Sequence, residues 1–177
     1  MKRVLVVVAV VELAAAGCVG LIALLVSRDS SEVNGTTGPG ELENDRGSAR
    51  QTGPATPVSP PARPPTSGPH RAAAVTRDQT ELSDDQILEA LKLGNVIITY
   101  EDPEPPRPLV TLQHEVNGGA FDPSLAEAGQ AVILARRPGA GVQALAWRRR
   151  LAASGPDDPR LRDFADAWLG QGVGRTG

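Results

Sequence analysis

Residues 83–100, SDDQILEALKLGNVIITY, constrain the fold more than any other stretch of the chain. Ser83 is a strong N-cap, and Gln86 three residues on completes a capping box. Asp84 and Asp85 fall in the first turn, where negative charge suits the helix dipole. Ile87, Leu88 and Leu91 give the helix an apolar face. Gly94 sits where helices stop in the left-handed conformation. Val96, Ile97, Ile98 and Thr99 then form a β-branched run ending at Tyr100, apolar enough for a central strand.

The same reading extends through the second half. Glu101 to Pro108 is a proline-rich loop, and Pro108 opens a helix over Leu109 to Val116 that stops at Asn117-Gly118. Asp122-Pro123 caps a short helical turn, Ser124 to Ala128. Gln130 to Ala135 reads as a strand, Arg136 to Gly139 as a turn, and Gly141 to Trp147 as a third strand. Asp158-Pro159 starts a helix in which Leu161, Phe164, Ala165, Trp168 and Leu169 recur at helical spacing, with Gly170 as its end. All five aromatic residues lie in this half, where a core needs bulk. The order implies a small α+β fold over residues 81–170, a sheet covered by helices, with 171–177 as a flexible tail.

The first half reads differently. Residues 4–26 are almost entirely apolar and long enough to cross a bilayer, for which about 20 residues suffice. Glu12 costs about 2.5–3.5 kcal/mol near the centre, which the surrounding Val, Leu and Ile outweigh. Lys2 and Arg3 precede the span, so the expected topology is single-pass with a cytoplasmic N-terminus and an extracytoplasmic C-terminal part. An uncleaved anchor over 1–27 is the preferred reading. Cleavage near Ala14-Ala15-Ala16 and lipidation of Cys18 stay open as alternatives. Residues 28–80, rich in Pro, Gly and Ser, read as a disordered linker that would hold the domain on the order of 40 Å from the membrane. A single cysteine excludes an intrachain disulfide and a cysteine-based zinc site. A net charge of −3 gives no field for nucleic acid.

Pro65-Thr66-Ser67-Gly68-Pro69-His70, the helix running into Gly94 and on to Tyr100, and Trp147 before a closing helix together resemble the DUF3105 family of bacterial proteins. Many of that family carry an N-terminal membrane or signal segment. The resemblance covers about Pro64 to Leu169. It implies a metal or acid–base site. The family's helix typically reads His-Ala-Leu-Glu-His-Gly, two histidines one turn apart, joined by the histidine of the PTSGPH string. Here the run is Glu89-Ala90-Leu91-Lys92-Leu93-Gly94. Glu89 keeps a ligating oxygen, Leu93 cannot ligate, and Lys92 brings positive charge.

His70 and Glu89 are therefore the candidate metal ligands of a degenerate site. The plainer reading of His70 is a turn residue bonded at the domain's edge. His114 reads as an ordinary helix residue. Arg136-Arg137 and Arg148-Arg149-Arg150 read as a solvated face with Asp157, Asp158 and Asp163 as counter-charge, or else as contacts for anionic lipid or wall polymer. No cofactor and no catalytic residue is assigned. The expected function is a non-catalytic binding module tethered to the membrane through residues 4–26, facing an envelope protein or the wall. The rival is a metal-dependent enzyme or metal-handling protein of the envelope.

Overall fold

The computed structural model describes residues 38–54 and 58–173. The expected span at 4–26, with Glu12 and Cys18, lies outside them, as do residues 174–177 of the expected tail. No helix among the described residues is long and apolar enough to cross a membrane.

Among the described residues nine elements follow in order: β1 Glu41–Leu42, α1 Asp84–Leu93, β2 Val96–Tyr100, α2 Arg107–Asn117, α3 Pro123–Glu127, β3 Val132–Arg136, β4 Gln143–Ala146, β5 Arg149–Ala152 and α4 Arg160–Trp168. The strands make one mixed sheet in the order β1-β5-β4-β2-β3, with β2 and β3 parallel and the other pairs antiparallel. The parallel pair needs a long crossover, and α2 and α3 supply it.

The expected helix and strand around Gly94 form as their residues direct. Ser83 accepts from the Gln86 N–H at 3.3 Å, and the Gln86 side chain accepts from the Ser83 N–H at 3.0 Å. Gly94 closes the helix at φ 112°. Every residue of β2 is buried, so its alternate side chains serve two cores. Val96, Ile98 and Tyr100 pack with Leu109 of α2 and with Leu161 and Phe164 of α4. Ile97 packs on the other side with Ile87 and Leu91 of α1 and Ala126 of α3. The sheet is thus covered on both faces. Burying a side chain such as Ile87 or Leu91 in full stabilises by about 1.5–3 kcal/mol.

Both sheet edges are short or blocked. The Gln79 N–H donates to the Leu134 carbonyl and the Arg136 N–H to the Thr80 carbonyl. Asn117 exchanges two bonds with the Val132 backbone. These contacts use the groups an exposed β3 edge would offer to another chain. At the other edge β1 is two residues long.

Two expectations are corrected here. The first is the linker: residues 38–54 and 58–80 are part of the folded domain. β1 pairs with β5, and Trp168 lies so close to Gly38 that an added Cβ would fall 2.2 Å from its ring. The Trp168 indole N–H donates to the Pro39 carbonyl at 2.8 Å. Val75 enters the core. The first turn of α1 gathers the rest: Asp84 accepts from the Ser59 N–H and Asp85 from the Arg71 N–H. Proline excludes helix and central strand from such a stretch but not packing. The folded body therefore begins by Gly38 instead of at 81. It also extends past 170: the Val173 N–H donates to the Lys92 carbonyl at 2.9 Å.

The second correction is the arginine run. Trp147 and Arg148 turn a hairpin, and Arg149–Ala152 is a strand that the sequence reading omitted. Arg149 and Arg150 are buried at 7% exposure each. Strand alternation sends them to opposite faces: the Arg149 guanidinium lies 4.5 Å from the Trp168 ring centroid, and Arg150 faces the PTSGPH string. Asp158 does not serve this run. It binds Arg160 at 2.6 Å, which holds its carboxyl well below the usual range, helped by the Ser154 N–H against the cost of burial.

Candidate functional site: the signature string and the strap it holds

The PTSGPH string lies between the sheet and residues 43–51, and nearly every polar group in it holds that segment. Thr66 donates through its hydroxyl to Glu43 and accepts through its carbonyl from the Arg148 N–H. Ser67 donates to the Asn44 carbonyl at 2.9 Å and accepts from the Arg46 N–H at 3.2 Å. Gly68 adopts φ 144°, a conformation glycine tolerates, ahead of Pro69. His70 then exchanges backbone bonds with both neighbours of Arg50: its N–H donates to the Ala49 carbonyl, and its carbonyl accepts from the Gln51 N–H.

His70 is fully buried, well inside the domain edge expected for it. Its Nδ1 lies 2.8 Å from the Gly68 carbonyl and its Nε2 lies 3.0 Å from Glu89 Oε2. The structure therefore brings the two candidate ligands together. The second oxygen of Glu89 accepts from Arg50 at 2.9 Å, and Lys92 donates to the Ser48 carbonyl at 3.0 Å. Both Glu89 oxygens thus have a partner, Oε2 the His70 ring and Oε1 the Arg50 guanidinium, whose charge disfavours a cation beside it. Among the described residues no group of three or more His, Cys, Asp or Glu gathers as a metal site. Leu93 is partly exposed and His114 is exposed on α2.

Of the remaining signature positions, Trp147 stands near His70, ring centroids 6.2 Å apart. Gly94 belongs to the far end of α1, where an added Cβ would fall 2.9 Å from the Gly170 carbonyl carbon. Tyr100 is buried in the sheet core. Burial raises its phenol above the usual value, with Asp78 adding to the shift and Arg136 opposing it.

The string also lines a cleft of about 350 Å³, together with residues 41–44, Arg46 and the buried Arg150. Glu43 and Arg150 make its central ion pair: Arg150 Nε and Nη2 reach the two Glu43 oxygens at 3.1 Å each. Arg63 adds a third donor at 2.6 Å. Burial works against ionisation of Glu43, but hydrogen bonds from Arg150 and Thr66 and the charges of Arg150 and Arg63 outweigh it. The carboxyl therefore titrates below its ordinary value. Arg150 also donates to Gln143 at 2.6 Å and to the Pro64 carbonyl.

Arg148, at the hairpin, is one of two non-glycine residues described with positive φ, at 60°. Bonds from its backbone to Thr66 and Glu43 hold it there. Glu43 and Arg50 were missed, and Arg150 was read only as part of a surface run, because no local pattern links partners 39 or 107 residues apart. The available signal was the density of charged residues within an otherwise polar, proline-rich stretch.

No curated protein and no solved structure matches the chain. A match to the family described as "Protein of unknown function (DUF3105)" runs over residues 52–175, which takes in the signature string, all four helices and every strand but β1. On that match the chain belongs to the DUF3105 family.

Proposed function

We propose that this protein is a membrane-tethered, extracytoplasmic binding module without catalytic activity, and that its binding face is the cleft lined by the signature string, residues 41–44 and Arg46. The observation that carries the reading is the placement of the string: Pro64, Pro65, Thr66 and Ser67 line a concavity of about 350 Å³, within the size range of small-molecule sites. The apolar run at 4–26 supplies the tether.

The metal-dependent reading has the His70–Glu89 contact in its favour and the Arg50 guanidinium against it. Stoichiometric zinc or copper in the purified protein, lost in His70→Ala, would reverse the preference.

Amide shift mapping of the full chain in detergent tests the binding face, with glucose, ethanolamine, acetate and inorganic phosphate as probes. At least one probe should give saturable shifts clustered at Asn44, Ser59, Thr66 and Ser67. Shifts confined to other surfaces, or none, would sink the reading. A cysteine placed at exposed Asp157 in a Cys18→Ser background should react with an impermeant maleimide in intact cells. Protection until lysis would place the domain inside.

A further inference from the structure

The cleft carries charge of the opposite sign to the chain that builds it. Arg46, Arg63 and Arg150 line it against Glu41 and Glu43, one cation in excess on a chain of net charge −3. The excess is not consumed internally. Glu43 already accepts from Arg150, Arg63 and Thr66, so both its oxygens are occupied. Arg150 is fixed by Glu43, Gln143 and Pro64. Arg63 uses one terminal nitrogen on Glu43 and keeps the rest of its fork, with the side chain 65% exposed. Arg46 lends only its backbone N–H to the fold. Its guanidinium has no partner among the described residues.

Guanidinium forks match planar or tetrahedral oxyanions better than point charges do. Neutral donors stand beside them, since the Ser59 hydroxyl and the Asn44 amide make no bond among the described residues while lining the same cleft. Glu41, also lining the cleft, opposes accumulation of further negative charge. That favours a singly charged group over a polyanion.

Resting on the reading of this cleft as the binding face, we propose that it takes one oxyanion, a carboxylate or a phosphate of a small ligand, on the guanidiniums of Arg46 and Arg63. A charge-assisted hydrogen bond contributes about 1.5–3 kcal/mol, so losing either arginine should weaken binding at least about tenfold.

The test uses the full chain in detergent, titrated with sodium acetate and with inorganic phosphate at constant ionic strength, chloride serving as the balancing ion. Binding is read from amide shifts at Asn44, Ser59 and Ser67. At least one of the two anions should give saturable shifts. Arg46→Ala should weaken them about tenfold or more, Arg46→Glu should abolish them, and Arg162→Ala on α4 should leave them unchanged. Because the Arg46 side chain holds nothing in the fold, these variants should keep the wild-type melting temperature, whereas Arg63→Ala also loosens Glu43. Preference between acetate and phosphate identifies the source of the oxyanion. Saturable binding of glucose or ethanolamine in the cleft with neither anion binding would overturn the oxyanion and leave the binding face standing. Anion shifts indifferent to Arg46→Glu would overturn the assignment of the site. No probe binding in the cleft would overturn both.

Discussion

Glu43 shows what one residue can do when the fold, and not its neighbours in sequence, chooses its partners. Two guanidiniums and a hydroxyl converge on a carboxylate whose side chain is 12% exposed. Removing one partner of a buried pair leaves the others uncompensated, so Glu43→Ala should cost about 3–5 kcal/mol in urea denaturation. The pH dependence follows from the depressed carboxyl. Its contribution is fully present above the ordinary glutamate value of 4.5 and is lost as pH falls below that toward the folded-state value. Glu43→Gln should therefore flatten the acid limb of the stability curve below about pH 4.5. A mutant curve parallel to wild type there would refute the assignment. None of this was legible in the sequence, where Glu43 is an acid in a polar stretch. His70 was partly legible. Its place in the PTSGPH string marked it, but its burial and its pairing with Glu89 depend on a turn at Gly68 and on α1 arriving alongside.

At the scale of elements, local chemistry predicted well wherever it was self-sufficient. The capping box at Ser83 and Gln86, the stop at Gly94, the Asp122 cap and the Asn117-Gly118 stop all act within a few residues of themselves. All four appear where expected. Elements whose reason lies elsewhere were missed. β1 and β5 are two and four residues long and have no apolar alternation. β5 exists because β4 supplies its ladder and because Arg149 and Arg150 find an indole and a carboxylate, and β1 exists because β5 supplies its ladder in turn. Gly94 combines both levels. Its left-handed φ belongs to the helix end, while the backbone of residues 170–172 packs within 3.1 Å of where a Cβ would stand. Gly94→Ala should cost about 2–4 kcal/mol, strain and overlap together. Gly118→Ala, at φ 73° with open space around it, should cost only about 1 kcal/mol. Equal losses in denaturation would show that the contact with 170–172 contributes nothing.

The whole molecule is larger than its regular elements suggest. Residues 38–80 contribute one short strand, yet they bring Glu43 to Arg150, His70 and Arg50 to Glu89, Ser59 to Asp84, and Val75 to the core. A chain starting at Glu81 retains all four helices and four strands but strands those partners in an apolar or half-buried setting, which is costly. A piece spanning 38–177 should melt cooperatively with a dispersed amide spectrum, and one spanning 81–177 should not. Equal melting temperatures for the two would restore the linker that the composition suggested.

The sequence by itself determined the helices, the central strand, their order and the family signature, because caps, glycine stops and apolar periodicity act over a turn or two of chain. Only the tertiary structure decided what the signature holds, which arginines are buried and where the domain begins. Those outcomes rest on hydrogen bonds and ion pairs between residues tens of positions apart. A proline-rich segment looks the same in sequence whether or not such partners await it.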